Sequence, residues 1–214
     1  LLVTALLVCG VGFGQTTIAI EDFDNTLPTW TNDIASQTFV DPTDANQGLF
    51  IQTFTNIGNG NTAFGQDLGG EGSEPSLSPY TFTFDQINVS GFTNVQLTFD
   101  YYAKANADAG SYEVFIDNVG QGAVEYYNDP DPNAVQGTIT VNIGIATTVK
   151  LVLTGTLNGG SDIIELDNFK ITGDSDSLDF DSQVNAPISQ VPSGIITADQ
   201  ATNFTNSVDV FKFD

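Results

Sequence analysis

Apolar and polar side chains alternate along most of this chain, and the period of that alternation sets its class of fold. The pattern recurs in five segments, at residues 80–84, 95–101, 112–116, 139–143 and 149–153. A period of two places apolar side chains on one face of an extended strand, whereas an amphipathic helix needs a period of about 3.6. Helical periodicity is scarce elsewhere in the sequence, so we predict an all-β protein.

Segments rich in Gly, Pro, Asn and Asp separate the predicted strands, and these residues favour the dihedral angles of turns. They lie at residues 56–61, 69–79, 128–133 and 157–161. Further short strands are expected at residues 17–21, 37–40 and 49–54. Roughly nine or ten short strands suit two antiparallel sheets packed face to face, as in a jelly-roll sandwich.

The chain is predicted to contain four segments. Residues 1–15 carry no charge and end in small residues, which is typical of a secretory signal peptide, here incomplete because the sequence starts at Leu1. Residues 16–173 form the predicted sandwich, residues 174–190 an acidic linker, and residues 191–214 the start of a truncated second β domain. The apolar N-terminal run is shorter than the about 20 residues of a membrane span. We therefore expect a secreted or cell-surface protein without membrane insertion and with further domains in the same chain.

The charge balance excludes several classes of function. The 27 acidic residues face only four lysines, with no Arg and no His, for a net charge of −23. Such a chain repels the phosphates of nucleic acids, and without His it lacks the usual general base and the commonest transition-metal ligand. The single cysteine, Cys9, lies in the predicted signal peptide, so neither disulfides nor thiolate chemistry are expected. An acidic, oxygen-rich chain is suited instead to hard cations, calcium above others.

The last strand of the predicted sandwich, residues 161–173, changes phase in its middle. Ile164 and Leu166 fall on one face of a regular strand, whereas Phe169 and Ile171 fall on the other. One extra residue at Asp167 or Asn168 would bring both sets to the same face, so we predict a β-bulge there. The carboxylate of Asp167 then lies among apolar neighbours, where it is costly unless something pairs with it.

The first predicted strand ends in a second group of acids. Glu21, Asp22 and Asp24 follow one another just before Trp30, which we expect to be a buried plug of the core. In a sandwich whose first and last strands lie side by side, these acids would meet Asp167. The charge of Asp167 would then be offset in one of two ways: by a cation, or by backbone N–H groups that donate hydrogen bonds to it at the bulge.

The two ends of the predicted sandwich also carry a resemblance. The opening stretch IEDFDNTLPTW, with LDNFKITG at the close, resembles the jelly-roll modules of extracellular carbohydrate-binding proteins and MAM-type adhesion domains. The central stretch LTFDYYAKANADAGSYEVFIDN is similar to paired strands of such modules in large secreted proteins of the Bacteroidetes. The resemblance implies a non-catalytic binding module with a structural calcium ion. Carried over, it implies Asp24 and Asp167 as the calcium ligands, with Asp22 and Glu21 as their neighbours.

Three tyrosines are candidates for a ligand-binding surface. A sugar presents C–H patches and hydroxyl groups, so its site needs exposed aromatic rings beside polar groups. Tyr102 falls on the face opposite Phe99 and Tyr101, and Tyr126 and Tyr127 adjoin an Asp- and Pro-rich loop. Alternation places one of the latter two in the core.

Three functions remain open from the sequence. The leading hypothesis is an extracellular adhesion or carbohydrate-binding module, stabilised by calcium, whose partner is a glycan or another cell-surface component. The alternative is a structural spacer for a downstream catalytic or anchoring domain. A second alternative is a glycoside hydrolase that uses two carboxylates, for which Asp108, Glu113 and Asp117 are candidates.

Overall fold

The computed structural model describes residues 15–24, 26–27, 29–41, 44–45, 47–53, 56–57, 60–69, 77–128 and 134–175. They belong to one compact unit, Leu1–Asp176. The predicted signal peptide up to residue 14, the predicted linker from residue 176 and the predicted second β domain lie outside the described residues.

The described chain forms twelve strands and one short 3-10 helix, Ala35–Gln37. The strands are β1 Thr16–Glu21, β2 Phe39–Val40, β3 Gly48–Thr53, β4 Asn61–Gln66, β5 Tyr80–Asn88, β6 Phe92–Lys104, β7 Ala109–Ile116, β8 Val119–Gly120, β9 Val124–Asn128, β10 Val135–Gly144, β11 Thr148–Gly155 and β12 Ile163–Ser175. The all-β prediction is therefore confirmed. The strands outnumber the roughly nine or ten expected partly because β2 and β8 have two residues each, too few to show alternation.

The strands form two antiparallel sheets. The larger sheet has seven strands in the order β10-β6-β12-β4-β3-β2, with β1 also paired to β12. The smaller sheet has the order β5-β11-β7-β8, with β9 also paired to β7. The structure is thus a two-sheet sandwich of the predicted jelly-roll class, and its first and last described strands lie side by side.

The core between the sheets is built on aromatic rings. In the larger sheet Phe99 and Phe169 stack with their centroids 5.3 Å apart. From the smaller sheet Phe84 packs on Phe169 at 4.3 Å, and Tyr126 meets Phe99 edge to face at 5.8 Å. Aromatic side chains bury much apolar area, and these ring geometries add favourable contacts, so this layer joins the two sheets.

Trp30 closes one side of this core. Its side chain is fully buried and lies 4.9 Å from the ring of Phe84. The indole Nε1 donates a hydrogen bond of 2.7 Å to the backbone oxygen of Asp85, which satisfies its polar atom. The prediction of a buried plug is confirmed.

The β-bulge predicted in β12 is also confirmed. In the pairing of β12 with β6, Asp167 lies opposite Asp100 while Lys170 lies opposite Thr98, so β12 holds one extra residue between them. Asn168 takes the positive φ of 55° that this insertion requires. The apolar residues on both sides of the bulge face the core for this reason.

Candidate functional site

The bulge divides the pairing of β12 and creates a junction on the outer face of the larger sheet. On one side β12 pairs with β6 throughout, whereas on its other side its first half pairs with β4 and its second half with β1. The loop that follows β1 therefore reaches the bulge at the point where β4 gives way to β1. Four carboxylates gather there, and we call them the acidic face: Asp22, Asp24, Asp100 and Asp167.

Asp167 is the buried member of the acidic face, with 3% of its surface exposed. Burial, together with the nearby carboxylates of Asp22, Asp100 and Asp24, raises the pKa of its carboxyl to about 7. One hydrogen bond, 2.7 Å from the backbone N–H of Asn168, acts in the opposite direction. The other charges that act on this carboxyl are all negative, so no cationic side chain of the described chain stabilises its ionised form.

Asp24 links the loop after β1 to the start of β4. Its Oδ1 accepts a 3.0 Å hydrogen bond from the backbone N–H of Asn61, and a Cβ added to Gly60 would lie 1.8 Å from its Oδ2. The Asp24 carboxylate therefore occupies the space that a side chain at residue 60 would need. The Asp24 residue as a whole is exposed, and its charge acts on Asp167.

Asp22 shapes the same loop. Its Oδ1 accepts hydrogen bonds from the backbone N–H groups of Asp24, at 3.1 Å, and of Thr26, at 3.3 Å. Burial opposes ionisation of this carboxyl, but the hydrogen bonds from Thr26 and Asp24 outweigh it and lower its pKa. Asp22 therefore stays ionised beside Asp167.

Glu21 differs from Asp22 and Asp24 in that it does not belong to the acidic face. Its Oε1 accepts a 2.7 Å hydrogen bond from the backbone N–H of Phe23, and its Oε2 accepts a 2.9 Å bond from Nδ2 of Asn32. Burial raises the pKa of its carboxyl in spite of these bonds. Both oxygens are thus engaged in fixing the loop, whereas the resemblance implied Glu21 as a neighbour of a metal ion.

Two buried oxygens on the outer face have no partner within the described residues. Glu165 is fully buried; its Oε1 accepts a hydrogen bond from Nδ2 of Asn56, while its Oε2 accepts none. Burial raises the pKa of this carboxyl. Thr62 is fully buried too, and its Oγ1 has no partner. Because Glu165 pairs with Phe64 and alternation places Thr62 on the same face as Phe64, both oxygens belong to this side of the sheet.

The sequence did not predict that Glu165 and Thr62 are buried. A period of two does place Glu165 on the same face of β12 as Asp167, but it predicts solvent there rather than burial. Asn56, which lies between β3 and β4, contacts Glu165 on the outer face through its Nδ2. No local pattern in the sequence indicates this contact.

Tyr102 lies on the outer face, as predicted. It pairs with Glu165 on one side and with Gln136 on the other, and its ring is half-buried. The next outward position along β6 is Asp100, whose Oδ2 accepts a 2.8 Å hydrogen bond from Nδ2 of the exposed Asn168. An aromatic ring therefore stands beside amide and carboxylate groups, and we call this set of five side chains the Tyr102 face.

Tyr126 and Tyr127 are both buried, at 6% and 3% exposure, whereas one of them was expected outside the core. The register of β9 against β7 pairs Tyr127 with Gly110 and Glu125 with Ser111, so Tyr126 is an extra residue in a β-bulge. The bulge turns two successive side chains inward. Neither ring presents a face to a ligand in this structure.

The hydroxyl groups of these rings meet inside the sandwich. The hydroxyl of Tyr80 lies 2.7 Å from that of Tyr126 and 3.1 Å from that of Tyr127. Tyr127 also donates a 2.8 Å hydrogen bond to the backbone oxygen of Thr156. Burial raises the pKa of Tyr127 above its ordinary range, so the group is neutral and serves packing.

The acids considered for a hydrolase are held by turns. Asp108 precedes β7 and accepts a 2.7 Å hydrogen bond from the backbone N–H of Asn158, whereas Asp117 follows β7 and accepts a 2.8 Å bond from that of Thr148. Asp108 and Asp117 thus lie at opposite ends of one strand. Glu113 lies between them on the strand itself, and its Oε1 accepts a 3.3 Å hydrogen bond from the backbone N–H of Gly122.

Two general features of the described chain bear on the site. Within it, no group of three or more Asp, Glu, His or Cys side chains is arranged to hold a metal ion. Its secondary structure also includes no helix with the length and apolar character needed to cross a membrane. The acidic face is therefore a gathering of like charges rather than an assembled metal centre.

No protein-family model matches the sequence, and no curated protein is a match for it. The chain is similar to solved structures of adhesin domains and carbohydrate-binding modules, the classes that the sequence resembles. One is the K3 adhesin domain of Lys-gingipain from Porphyromonas gingivalis, with 15% identity and a TM-score of 0.43, covering 74% of this chain and 99% of that one. Another is the K2 adhesin domain of Lys-gingipain, with 14% identity and a TM-score of 0.43, covering 75% and 98%. A third is the xylan-binding domain of CBM 22, with 10% identity and a TM-score of 0.35, covering 74% and 95%. At these values the likeness carries no argument about function, which has to be argued from this chain's own side chains.

Proposed function

We propose that this chain is a non-catalytic extracellular binding module, part of a larger secreted protein, that takes a glycan on the Tyr102 face. The observation that carries the proposal is the placement of one half-exposed tyrosine ring between carboxylate and amide groups on the outer face of the larger sheet. The ring offers an apolar surface to the C–H groups of a sugar. Asp100, Asn168 and Gln136 offer acceptors and donors for its hydroxyl groups.

The open face is consistent with binding rather than with turnover. The Tyr102 face lies on three adjacent strands, with Gln136 on β10, Tyr102 and Asp100 on β6, and Glu165 and Asn168 on β12. A strip across neighbouring strands suits a run of sugar units in an extended chain, since several units can meet it at once. The −23 charge also favours neutral or cationic glycans over sulfated or uronic ones.

Replacement of Tyr102 tests the glycan proposal. On an array of neutral plant, microbial and host glycans, we expect the whole chain to bind at least one class of glycan. Tyr102→Ala should bind that class with an affinity lower by about tenfold or more, because the loss of a stacked ring costs about 1.4 kcal/mol or more. The matched control is Phe115→Ala, because Phe115 is a half-buried aromatic residue on the outer face of the smaller sheet, beside Lys150.

The array also separates this proposal from its alternative. Loss of binding in Tyr102→Ala but not in Phe115→Ala supports the Tyr102 face. Absence of binding to every glycan, with and without calcium, would favour a structural spacer that holds a neighbouring domain. Equal losses in both variants would place the ligand elsewhere.

We also propose calcium as the partner of the acidic face, with Asp24 and Asp167 as its first ligands and Asp22 beside them. Calcium prefers carboxylate, hydroxyl and carbonyl oxygens, and the unpartnered oxygens of Glu165 and Thr62 add to the carboxylates of this face. Because these groups are not assembled around one point, binding would include a movement of the exposed Asp24 toward Asp167. Extracellular sites of this kind bind calcium at about 10⁻⁴ to 10⁻³ M.

Melting temperature in calcium and in chelator tests this second proposal. We expect calcium to raise the melting temperature of the whole chain, and Asp167→Asn to remove most of that rise. In chelator at about pH 8, where Asp167 is ionised, the variant should melt at a higher temperature than the parent, because it removes one of four mutually repelling carboxylates. Asp85→Asn is the control, since Asp85 is exposed on the other sheet and its side chain lies away from this face. An identical transition in calcium and chelator would count against a metal ion.

A further inference from the structure

The outer edge of β10 is the longest strand edge that the described sheets leave without a partner. β10 pairs with β6 along one side, and no described strand pairs with its other side. The other sheet ends are shorter or better guarded: β2 and β8 have two residues each, and β5 is bridged at Phe84 by Asn32. An edge of ten residues exposes a row of backbone donors and acceptors that can pair with another strand.

The sequence of β10 gives this edge no protection by charge. Residues 135–144, VQGTITVNIG, contain no Asp, Glu, Lys, Arg or Pro, although the whole chain carries 27 acids. Charged side chains and Pro are the usual means of preventing edge-to-edge pairing. The irregularity near Gly144 guards only the last residues of the strand, since the pairing with β6 is regular from Val135 to Asn142.

The side chains of β10 are held toward their own sheet, which leaves the edge backbone clear. Thr138 donates its hydroxyl to Oδ1 of Asp100, and Oδ1 of Asn142 accepts a 2.8 Å hydrogen bond from Nε2 of Gln96. On the inner face Ile139 and Val141 are only partly buried against the core. A strand added to this edge would complete their burial.

We infer that the edge of β10 pairs antiparallel with β10 of a second copy of this chain. About a two-fold axis at Ile139, Thr138 would meet Thr140 of the second copy and Gln136 would meet its Asn142, while the apolar residues would meet on the inner face. The pattern is thus complementary to itself, as a two-fold interface requires. Charge points to the same occupant: two copies at −23 repel over most of their surface, and β10 is a neutral strip along which they can approach.

The dimer is weak and responds to salt. An edge-to-edge contact is smaller than standard interfaces, which bury roughly 1,200 to 2,000 Å², so the association is concentration-dependent. Salt screens the repulsion between the two acidic bodies but not the backbone hydrogen bonds, so a higher ionic strength strengthens the dimer. The inference uses none of the residues proposed for calcium, whereas Gln136 belongs both to this contact and to the Tyr102 face.

Sedimentation velocity over a wide range of protein concentration, at low and high salt, tests the inference. We expect the mass of the whole chain to rise toward a dimer with concentration, and more so at high salt. Thr140→Glu should keep it monomeric, because Thr140 is exposed on β10 and the change adds a carboxylate to each side of the contact. Thr81→Glu is the matched control, since Thr81 is exposed on β5, an end strand of the smaller sheet, and takes the same charge. Circular dichroism checks that both variants are folded.

Three results would overturn the inference. A monomeric mass at every concentration and salt is the first, and a dimer that Thr140→Glu leaves intact is the second. The third comes from hydrogen exchange: slow exchange of the β10 edge amides that does not depend on concentration would show that another segment of the same chain covers this edge.

Discussion

Asp167 and Glu165 carry buried carboxylates on which no cationic side chain of the described chain acts. Asp167 is almost fully buried, and its pKa is raised to about 7 by burial and by three like charges. Glu165 is buried, and its Oε2 has no partner among the residues that the structure describes. A buried, uncompensated charge is costly, and proteins keep such groups where a proton, a cation or a ligand supplies the compensation.

The raised pKa of Asp167 predicts how stability depends on pH. The folded chain holds this proton up to about pH 7, whereas the unfolded chain releases it near pH 3.8, so the stability from this group falls as pH rises between those values. The raised pKa values of Glu21, Asp162 and Glu165 act in the same direction, and the lowered pKa of Asp22 acts against them. We expect the melting temperature in chelator to fall from pH 5 to pH 8. Asp167→Asn should flatten that fall, and an unchanged slope in the variant would show that Asp167 is not its source.

At the scale of secondary-structure elements, two β-bulges differ in how far the sequence reveals them. The bulge in β12 could be predicted because its apolar residues change phase at Asp167, and only one extra residue brings both halves to the core. The bulge at Tyr126 in β9 could not, because two successive aromatic residues fit either face of a strand. The contact of Asn56 with Glu165 is a tertiary feature with no local signal. The sequence therefore predicted the strand that organises the acidic face but not the burial of its neighbours.

The inward turn of both tyrosines in β9 predicts a sensitive glycine in β7. A Cβ added at Gly110 would lie 2.1 Å from the ring of Tyr127, which has no room to move in the core. We expect Gly110→Ala to lower the free energy of unfolding by about 1–3 kcal/mol or more, the usual cost of overpacking. Gly137→Ala is the control, because its added Cβ would meet the ring of Tyr101 at an ordinary 3.4 Å. Denaturant unfolding measures both, and equal effects would mean that the tyrosine bulge is not tightly packed.

At the scale of the whole molecule, the sandwich joins its own two ends. β1 lies beside β12, so residues about 140 positions apart in sequence meet at one bulge, and their charges have the same sign. The all-β class and this adjacency could be predicted, since alternation marks the strands and a jelly-roll sandwich places its terminal strands together. Composition alone does not show that four of the 27 acids meet at one bulge, because that depends on the register of β12 with β6 and β1.

The most direct measurement of the central claim is a calorimetric titration of calcium into the whole chain at about pH 7.5, run in parallel with Asp167→Asn and Asp85→Asn. If the carboxylates of the first and last strands form one cation site, the parent and Asp85→Asn bind calcium with the same affinity at about 10⁻⁴ to 10⁻³ M. Asp167→Asn should then lose about tenfold or more in affinity, since it removes a proposed first ligand. Equal binding by all three proteins, or binding by none, would contradict the account.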